Sequence, residues 1–121
     1  TSPLQRTLIA EINAAYTPDL VIMDGVEAFV RGGPANGDKG AANVVLAGTD
    51  CVALDAVGVA LLRHLGTTAE VSQGAIFEQE QIARAVELGL GAKSPAEIQL
   101  VTPDAESEAY AAEIQAILTQ G

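Results

Sequence analysis

The sequence has no tryptophan, one cysteine and few aromatic residues. Aromatic residues make up 3% of the 121 positions, so few rings are available for base stacking, and most modes of single-strand nucleic-acid binding are excluded. The lone Cys51 excludes an internal disulfide, and the chain offers no cysteine motif for a metal cluster. We therefore expect a reducing, cytoplasmic setting.

Basic residues are also scarce, because 6 Lys and Arg face 16 Asp and Glu, for a net charge of −10. This charge repels phosphate backbones and anionic lipid, so we expect neither a nucleic acid nor a membrane as partner. No apolar run approaches the ~20 residues of a membrane span. No basic residue follows Lys93, and we interpret the C-terminal third as a solvated acidic surface rather than an interaction tail.

Hydrophobic residues are plentiful at 49%, which is enough to build a folded core. The length predicts a single domain over residues 1–121. Because the sequence begins at Thr1 instead of methionine, we expect it to be part of a longer protein.

Apolar periodicity predicts helices and strands in a mixed order. Helical spacing covers four segments, at residues 4–16, 52–65, 75–88 and 105–119. Short apolar runs predict strands at residues 20–23, 44–47 and 98–101, and the alternation at 26–30 favours a further short strand or a ribbon extension. Residues 94–97 before the last run are also compatible with a helical turn.

These elements predict an α/β fold in which a small mixed, partly parallel sheet of three to four strands packs with about four helices. The strands at 20–23 and 44–47 are continuous apolar runs of the kind covered on both faces. Their connection contains no helix, so this pair is expected to be antiparallel. The longer connection to 98–101 suits a parallel crossover.

A glycine-rich stretch at residues 31–40 lacks periodicity and predicts a loop. Glycines let backbone amides approach an anion closely, so the candidate ligand-binding residues are Gly25, Gly32, Gly33, Gly37 and Lys39. A phosphate-binding P-loop is excluded, because Gly37 is followed by Asp38 instead of lysine. A plain or lid-like loop remains the alternative.

Three aspartates follow or flank the predicted strands, which is where open α/β sheets bind ligands. Asp24 ends the first strand, Asp50 follows the second, and Asp55 lies about one turn into the next helix. Together they predict a site for Mg²⁺, Mn²⁺ or Ca²⁺. The alternative, which the enrichment of aspartate at caps and turns favours, makes Asp50 a helix N-cap, Asp24 a turn residue and Asp55 a hydrogen-bonded or solvated carboxylate.

No residue can be assigned a catalytic role, since no nucleophile has a recognisable base, and whether the chain is an enzyme stays open. Cys51 is expected to be a small buried residue rather than a redox thiol. His64, in the last turn of its helix, is expected to lie at the surface or its boundary.

The order of the motifs resembles the DUF362 family, over about residues 5–101. The resemblance is carried by Asp-Gly at 24–25, Gly-Gly-Pro at 32–34 with Gly37, Gly-Thr-Asp at 48–50 with Asp55, and Gly-Leu-Gly at 89–91. Members of that family are often described as iron–sulfur proteins. The resemblance therefore implies the C-terminal portion of a redox-associated protein, whose partners are a missing N-terminal or ferredoxin-like part, or a separate redox partner.

Because no cysteine array is present, any iron–sulfur cluster must be held in the full-length protein outside this chain, or by a partner. Two other hypotheses stay open. One is a module that binds a divalent cation or a small anionic ligand, and the other is a scaffold or homo-oligomerisation half with no chemistry of its own.

Overall fold

A computed structural model describes residues 3–15, 20–25, 28–32, 37–40, 44–66 and 69–120. Its helices are α1 (Pro3–Asn13), α2 (Cys51–Leu65), the short α3 (Ala69–Ser72), α4 (Glu80–Glu87) and α5 (Ala105–Leu118). Its strands are β1 (Val21–Gly25), β2 (Ala28–Gly32), β3 (Gly37–Gly40) and β4 (Val44–Gly48). Two short 3-10 helices cover Ile76–Glu78 and Pro95–Glu97. The mixed α/β class is confirmed.

The strands pair in two antiparallel ribbons. β1 pairs with β4 from Val21 opposite Gly48 to Gly25 opposite Val44. This confirms the antiparallel pairing expected from a connection without a helix. β2 pairs with β3, with a register shift between Phe29 and Arg31. Among the residues that the structure describes, there is no parallel pair and no sheet of three or more strands.

Two segments differ from their predicted structure. The predicted loop at 31–40 was wrong at both of its ends, because residues 31–32 belong to β2 and 37–40 form β3. Glycine-rich strands lack the alternating pattern by which strands are recognised. Residues 98–101 form no strand, whereas the alternative of a helical turn just before them is confirmed by the 3-10 helix Pro95–Glu97.

Helix α2 is the central element of the core. It is apolar on most of its circumference, and its buried residues are Val52, Leu54, Ala56, Val57, Ala60 and Leu61. The β1–β4 ribbon packs on one side, where Met23 lies against Gly58, while α4 and α5 pack on other sides. A helix that is apolar nearly all round must be covered on several sides. Gly66, at φ 85°, ends the helix as predicted.

The helix predicted over 75–88 is interrupted at Gln79, whose ψ of 132° is extended. Ile76 and Ile82 are both 1% exposed. In one continuous helix, six residues of separation would place them about 120° apart around the axis. The break lets both side chains enter the same core.

Helices α1 and α4 pack together, and Arg84 of α4 forms ion pairs at the exposed side of their contact. Its Nη2 lies 3.0 Å from Oε1 of Glu11, and its Nη1 lies 2.8 Å from Oε2 of Glu87. At the other side of α2, α5 buries Ile114 and Leu118. Its first turn is capped by Asp104, whose side chain accepts a hydrogen bond from the Ser107 amide.

Candidate functional site

Asp50 joins the start of α2 to a distant segment of the chain. Its Oδ1 accepts the Ala53 amide at 3.0 Å, which is the N-cap contact expected from the sequence. Its Oδ2 accepts the amide of Ala92 at 2.8 Å, across 42 residues of sequence. Both oxygens of the carboxylate are therefore occupied by backbone donors.

Gly91 makes this contact sterically feasible. A Cβ at this position would lie 2.8 Å from Cγ of Asp50 and 3.1 Å from its Oδ2. These distances are shorter than nonbonded contacts allow, so a side chain at Gly91 would displace the carboxylate. The Gly-Leu-Gly motif at 89–91, which the sequence analysis used only as part of the family resemblance, thus contains a glycine required by a close approach.

A small pocket of about 140 Å³ lies among α1, α2 and α4. Its polar lining consists of Asn13, Cys51, Asp55 and Gln81, and the rest is apolar. Nε2 of Gln81 donates a hydrogen bond to Oδ2 of Asp55 at 2.9 Å. Burial raises the pKa of Asp55, and the hydrogen bond from Gln81 offsets part of that rise. The pocket therefore holds a carboxyl group that takes up a proton more readily than an exposed aspartate.

The raised pKa of Asp55 predicts a pH dependence of stability. Because the folded chain binds this proton more tightly than the unfolded chain, the contribution is most favourable near and below the unfolded pKa of 3.8 and is lost as pH rises through the folded pKa. We expect Asp55→Asn, which keeps an oxygen to accept from Gln81, to raise the melting temperature at pH 7.

The gain from Asp55→Asn should shrink as the pH is lowered toward 3.8 and vanish below it, where the wild-type carboxyl is protonated in both the folded and the unfolded state. Thermal unfolding of both proteins between pH 4 and pH 8 measures it. Glu80→Gln, at an exposed acid in the first turn of α4, is the control. A melting temperature that Asp55→Asn leaves unchanged or lowers at pH 7 would contradict the burial argument.

The three aspartates of the predicted metal site do not share one established site. Asp50 and Asp55 are five residues apart, so they lie about 140° apart around the axis of α2, and they bond to Ala92 and Gln81 respectively. Asp24 lies in β1 opposite Val45, but its side chain is outside the described residues. Among the side chains that are described, no three His, Cys, Asp or Glu residues could hold a metal ion. The three-carboxylate site stays a prediction.

The glycine-rich candidates lie on the two ribbons. Gly25 ends β1 opposite Val44, Gly32 pairs with Gly37 across β2 and β3, and Lys39 pairs with Phe29. Gly33 lies outside the described residues. Their role as ligand-binding residues stays a prediction.

His64 lies at the edge of the fold, as expected. Its Nε2 is 3.8 Å from Oε2 of Glu113, and its ring centroid lies 5.4 Å from that of Tyr110. Both partners are on α5, so this histidine helps to join α2 to α5.

A larger opening, which we call the β4–α5 cleft, has a volume of about 550 Å³. Its walls are β4, α2, the segment 98–103 and the first part of α5. Its lining is mainly apolar, and it includes Val45 and Val101, which are 63% and 85% exposed. Glu106 contributes a carboxylate to the α5 wall.

A family model described as a domain of unknown function (DUF362) matches residues 2–60. The N-terminal half of the chain belongs to the DUF362 family. This DUF362 segment contains α1, the four strands and the first ten residues of α2. No curated protein and no solved structure matches the chain.

The DUF362 segment ends inside α2, so several contacts described above cross its boundary. Asp50 lies in the segment and Ala92 outside it, and the same is true of Asp55 and Gln81. Together with the ion pair of Glu11 and Arg84, these contacts join the DUF362 segment to the C-terminal half through three separate carboxylates.

An iron–sulfur cluster does not fit the residues of this DUF362 chain. Such clusters are usually held by four cysteine thiolates, and Cys51 is the single cysteine of the sequence. It is half-buried at the start of α2.

Among the helices of the described ranges, none combines the length and apolar character needed to cross a bilayer.

Proposed function

We propose that this chain is a docking domain of a cytoplasmic, iron–sulfur-associated DUF362 protein, and that the cluster is bound outside the chain. In this function the chain performs no chemistry of its own. It binds the cluster-carrying part, which is either a ferredoxin-like region of the same protein or a separate redox partner.

The observation that carries this proposal is the outer face of the β1–β4 ribbon. Leu20, Ile22 and Val45 are 59%, 65% and 63% exposed. The inner face packs on α2, so the prediction that both faces are covered was wrong for the outer one. Apolar runs of this kind are typical of strands buried on two sides. Exposed apolar patches of this kind are typical of interaction sites.

The contacts of Asp50 and Asp55 offer further support for the docking proposal, since these contacts stabilise the fold. Asp50 accepts two backbone amides and Asp55 accepts the amide of Gln81. These oxygens are engaged in contacts that hold the fold together, which leaves the exposed apolar face of the ribbon as the feature offered to a partner.

Iron and sulfide analysis tests the proposal. The native protein, purified anaerobically in its longest natural form together with any partner that remains bound, is compared with the 121-residue chain purified in the same way. We expect iron and acid-labile sulfide in the native preparation and neither in the 121-residue chain. Iron with sulfide in the short chain, or none in the native preparation, would contradict the proposal.

A divalent cation bound by Asp24, Asp50 and Asp55, or a small anionic ligand bound at the glycine-rich ribbon, is the competing function. Titration of the 121-residue chain with Mg²⁺, Mn²⁺ and Ca²⁺ at millimolar concentration decides the cation case. A ligand that binds only the folded state raises the melting temperature. The docking proposal expects no rise, and a rise abolished by Asp24→Asn would favour the cation site.

A further inference from the structure

The β4–α5 cleft runs along the edge of β4 that faces away from β1. Three consecutive residues of that strand, Val44, Val45 and Leu46, line it, and no residue of β1 whose side chain is described does. Neighbouring side chains of a strand point to opposite faces, so an opening lined by all three lies at the strand's edge. Because β1 occupies the other edge, the cleft faces backbone groups of β4 that no strand pairs among the described residues.

The opposite wall of the cleft is the segment 98–103, which the sequence predicts in part as a strand. Ile98 has extended dihedrals of −105° and 124°. Within the part of the chain that the structure describes, no backbone hydrogen bond engages the amides of residues 99–102. The cleft is thus bordered on two sides by backbone that the other described residues do not pair with backbone hydrogen bonds.

The dimensions fit one strand. Using a rise of about 3.3 Å per residue, a strand spacing of about 4.8 Å and a sheet thickness of about 10 Å, one extended residue occupies roughly 160 Å³. The cleft volume of about 550 Å³ therefore holds roughly three to four residues. β4 itself is five residues long.

The negative charge around the cleft favours a basic segment as the occupant. Glu106 lines the cleft, and Asp104 and Glu108 lie in the same exposed first turn of α5. No basic residue follows Lys93, and the whole chain carries −10, so a second copy of this chain would bring further negative charge to the same place. A segment with lysine or arginine beside its apolar residues is attracted instead.

We propose that the β4–α5 cleft binds an extended, apolar segment flanked by basic residues, supplied by a partner polypeptide, which adds as a strand beside β4. Its backbone pairs with β4, its side chains cover Val45 and Val101, and its basic flanks face α5. Binding by strand addition draws affinity from the main chain and specificity from alternate side chains. The inference rests on the proposed function, because it specifies which kind of segment the docking domain receives.

The probe is a fluorescein-labelled peptide with blocked ends, Lys-Lys-Val-Thr-Val-Thr-Lys-Lys, followed by fluorescence anisotropy with the 121-residue chain. We expect a dissociation constant below about 100 μM. Two control peptides should each bind at least about tenfold more weakly. One has glutamate in place of every lysine, and the other has proline in place of the second valine. The first removes charge complementarity, and the second removes a backbone donor.

Matched variants locate the binding site. Val45→Lys should weaken binding of the lysine peptide about tenfold or more. Ile12→Lys, at a residue of α1 with the nearly equal exposure of 62%, should leave it unchanged. Circular dichroism and the melting temperature of each variant establish that both remain folded.

Four outcomes would overturn the inference. They are no binding of the lysine peptide at about 1 mM, equal binding of the proline peptide, equal loss in the two variants, and a dimer of the chain alone that Val45→Lys dissociates, which light scattering would detect. The peptide assay contains no iron, so its failure leaves the iron and sulfide result intact and is separable from failure of the proposed function.

Discussion

Replacing Asp50 by alanine should lower the free energy of unfolding by about 2–4 kcal/mol. Loss of an N-cap contact typically costs about 1 kcal/mol, and loss of a hydrogen bond to a charged group about 1.5–3 kcal/mol. Asp50 makes one contact of each kind, to Ala53 and to Ala92. Ala92 is 7% exposed, so water replaces the lost acceptor poorly. Urea unfolding monitored by circular dichroism measures the change.

Asp104→Ala is the matched control for this prediction. Asp104 is exposed and caps α5 through the backbone and side chain of Ser107, and among the described contacts it reaches no distant residue, so its replacement should cost clearly less. Asp50→Asn should fall between wild type and Asp50→Ala, since one amide oxygen can satisfy only one of the two donors.

The loss of unfolding free energy in Asp50→Ala should be the same with and without EDTA. A loss that EDTA abolishes would indicate a metal ligand, and a loss under about 0.5 kcal/mol would contradict the structural role.

Gly91→Ala should also destabilise the chain by about 2–4 kcal/mol, because the new Cβ displaces the Asp50 carboxylate and both of its contacts are lost. Gly89→Ala is the control. Gly89 has a φ of 70° and open space around it, so alanine there meets only the backbone cost of the left-handed region, about 1–2 kcal/mol. The same urea experiment ranks the two variants.

The double variant Asp50→Ala with Gly91→Ala separates a local effect from a shared one. Once the carboxylate is absent, the methyl group at position 91 no longer meets it, so the double variant should be about as stable as Asp50→Ala alone. Contacting residues commonly show coupling energies of about 0.5–3 kcal/mol. Additive losses would show that Gly91 is required for a reason unrelated to Asp50.

Local features of this fold were predictable from the sequence. The N-cap at Asp50, the stop at Gly66 and the apolar faces of α2 and α5 depend on residues within a few positions of one another. The antiparallel pairing of β1 with β4 followed from a connection without a helix. The caps and apolar faces depend on short-range interactions, which periodicity and capping preferences describe adequately, whereas the strand pairing followed from the nature of the connection.

The features that escaped prediction depend on distant partners. The contact of Asp50 with Ala92 spans 42 residues, and that of Asp55 with Gln81 spans 26. Local sequence patterns predict neither contact. The break at Gln79 arises because two isoleucines must enter one core. Residues 28–30 of β2 lie in the alternating segment that was predicted as a further short strand, whereas β3 was missed because its glycines remove the alternation that identifies a strand.

The bond between Asp50 and Ala92 also bears on the order in which the nascent chain can fold. At roughly 5–20 residues per second, a ribosome adds the 42 residues that separate them in roughly 2–8 s. Throughout that interval Asp50 lacks its second donor and α5 has not been made, while α4 is completed only near the end of the interval. The apolar sides of α2 that α4 and α5 cover are therefore exposed for seconds during synthesis, which is the condition under which chaperones act on nascent chains.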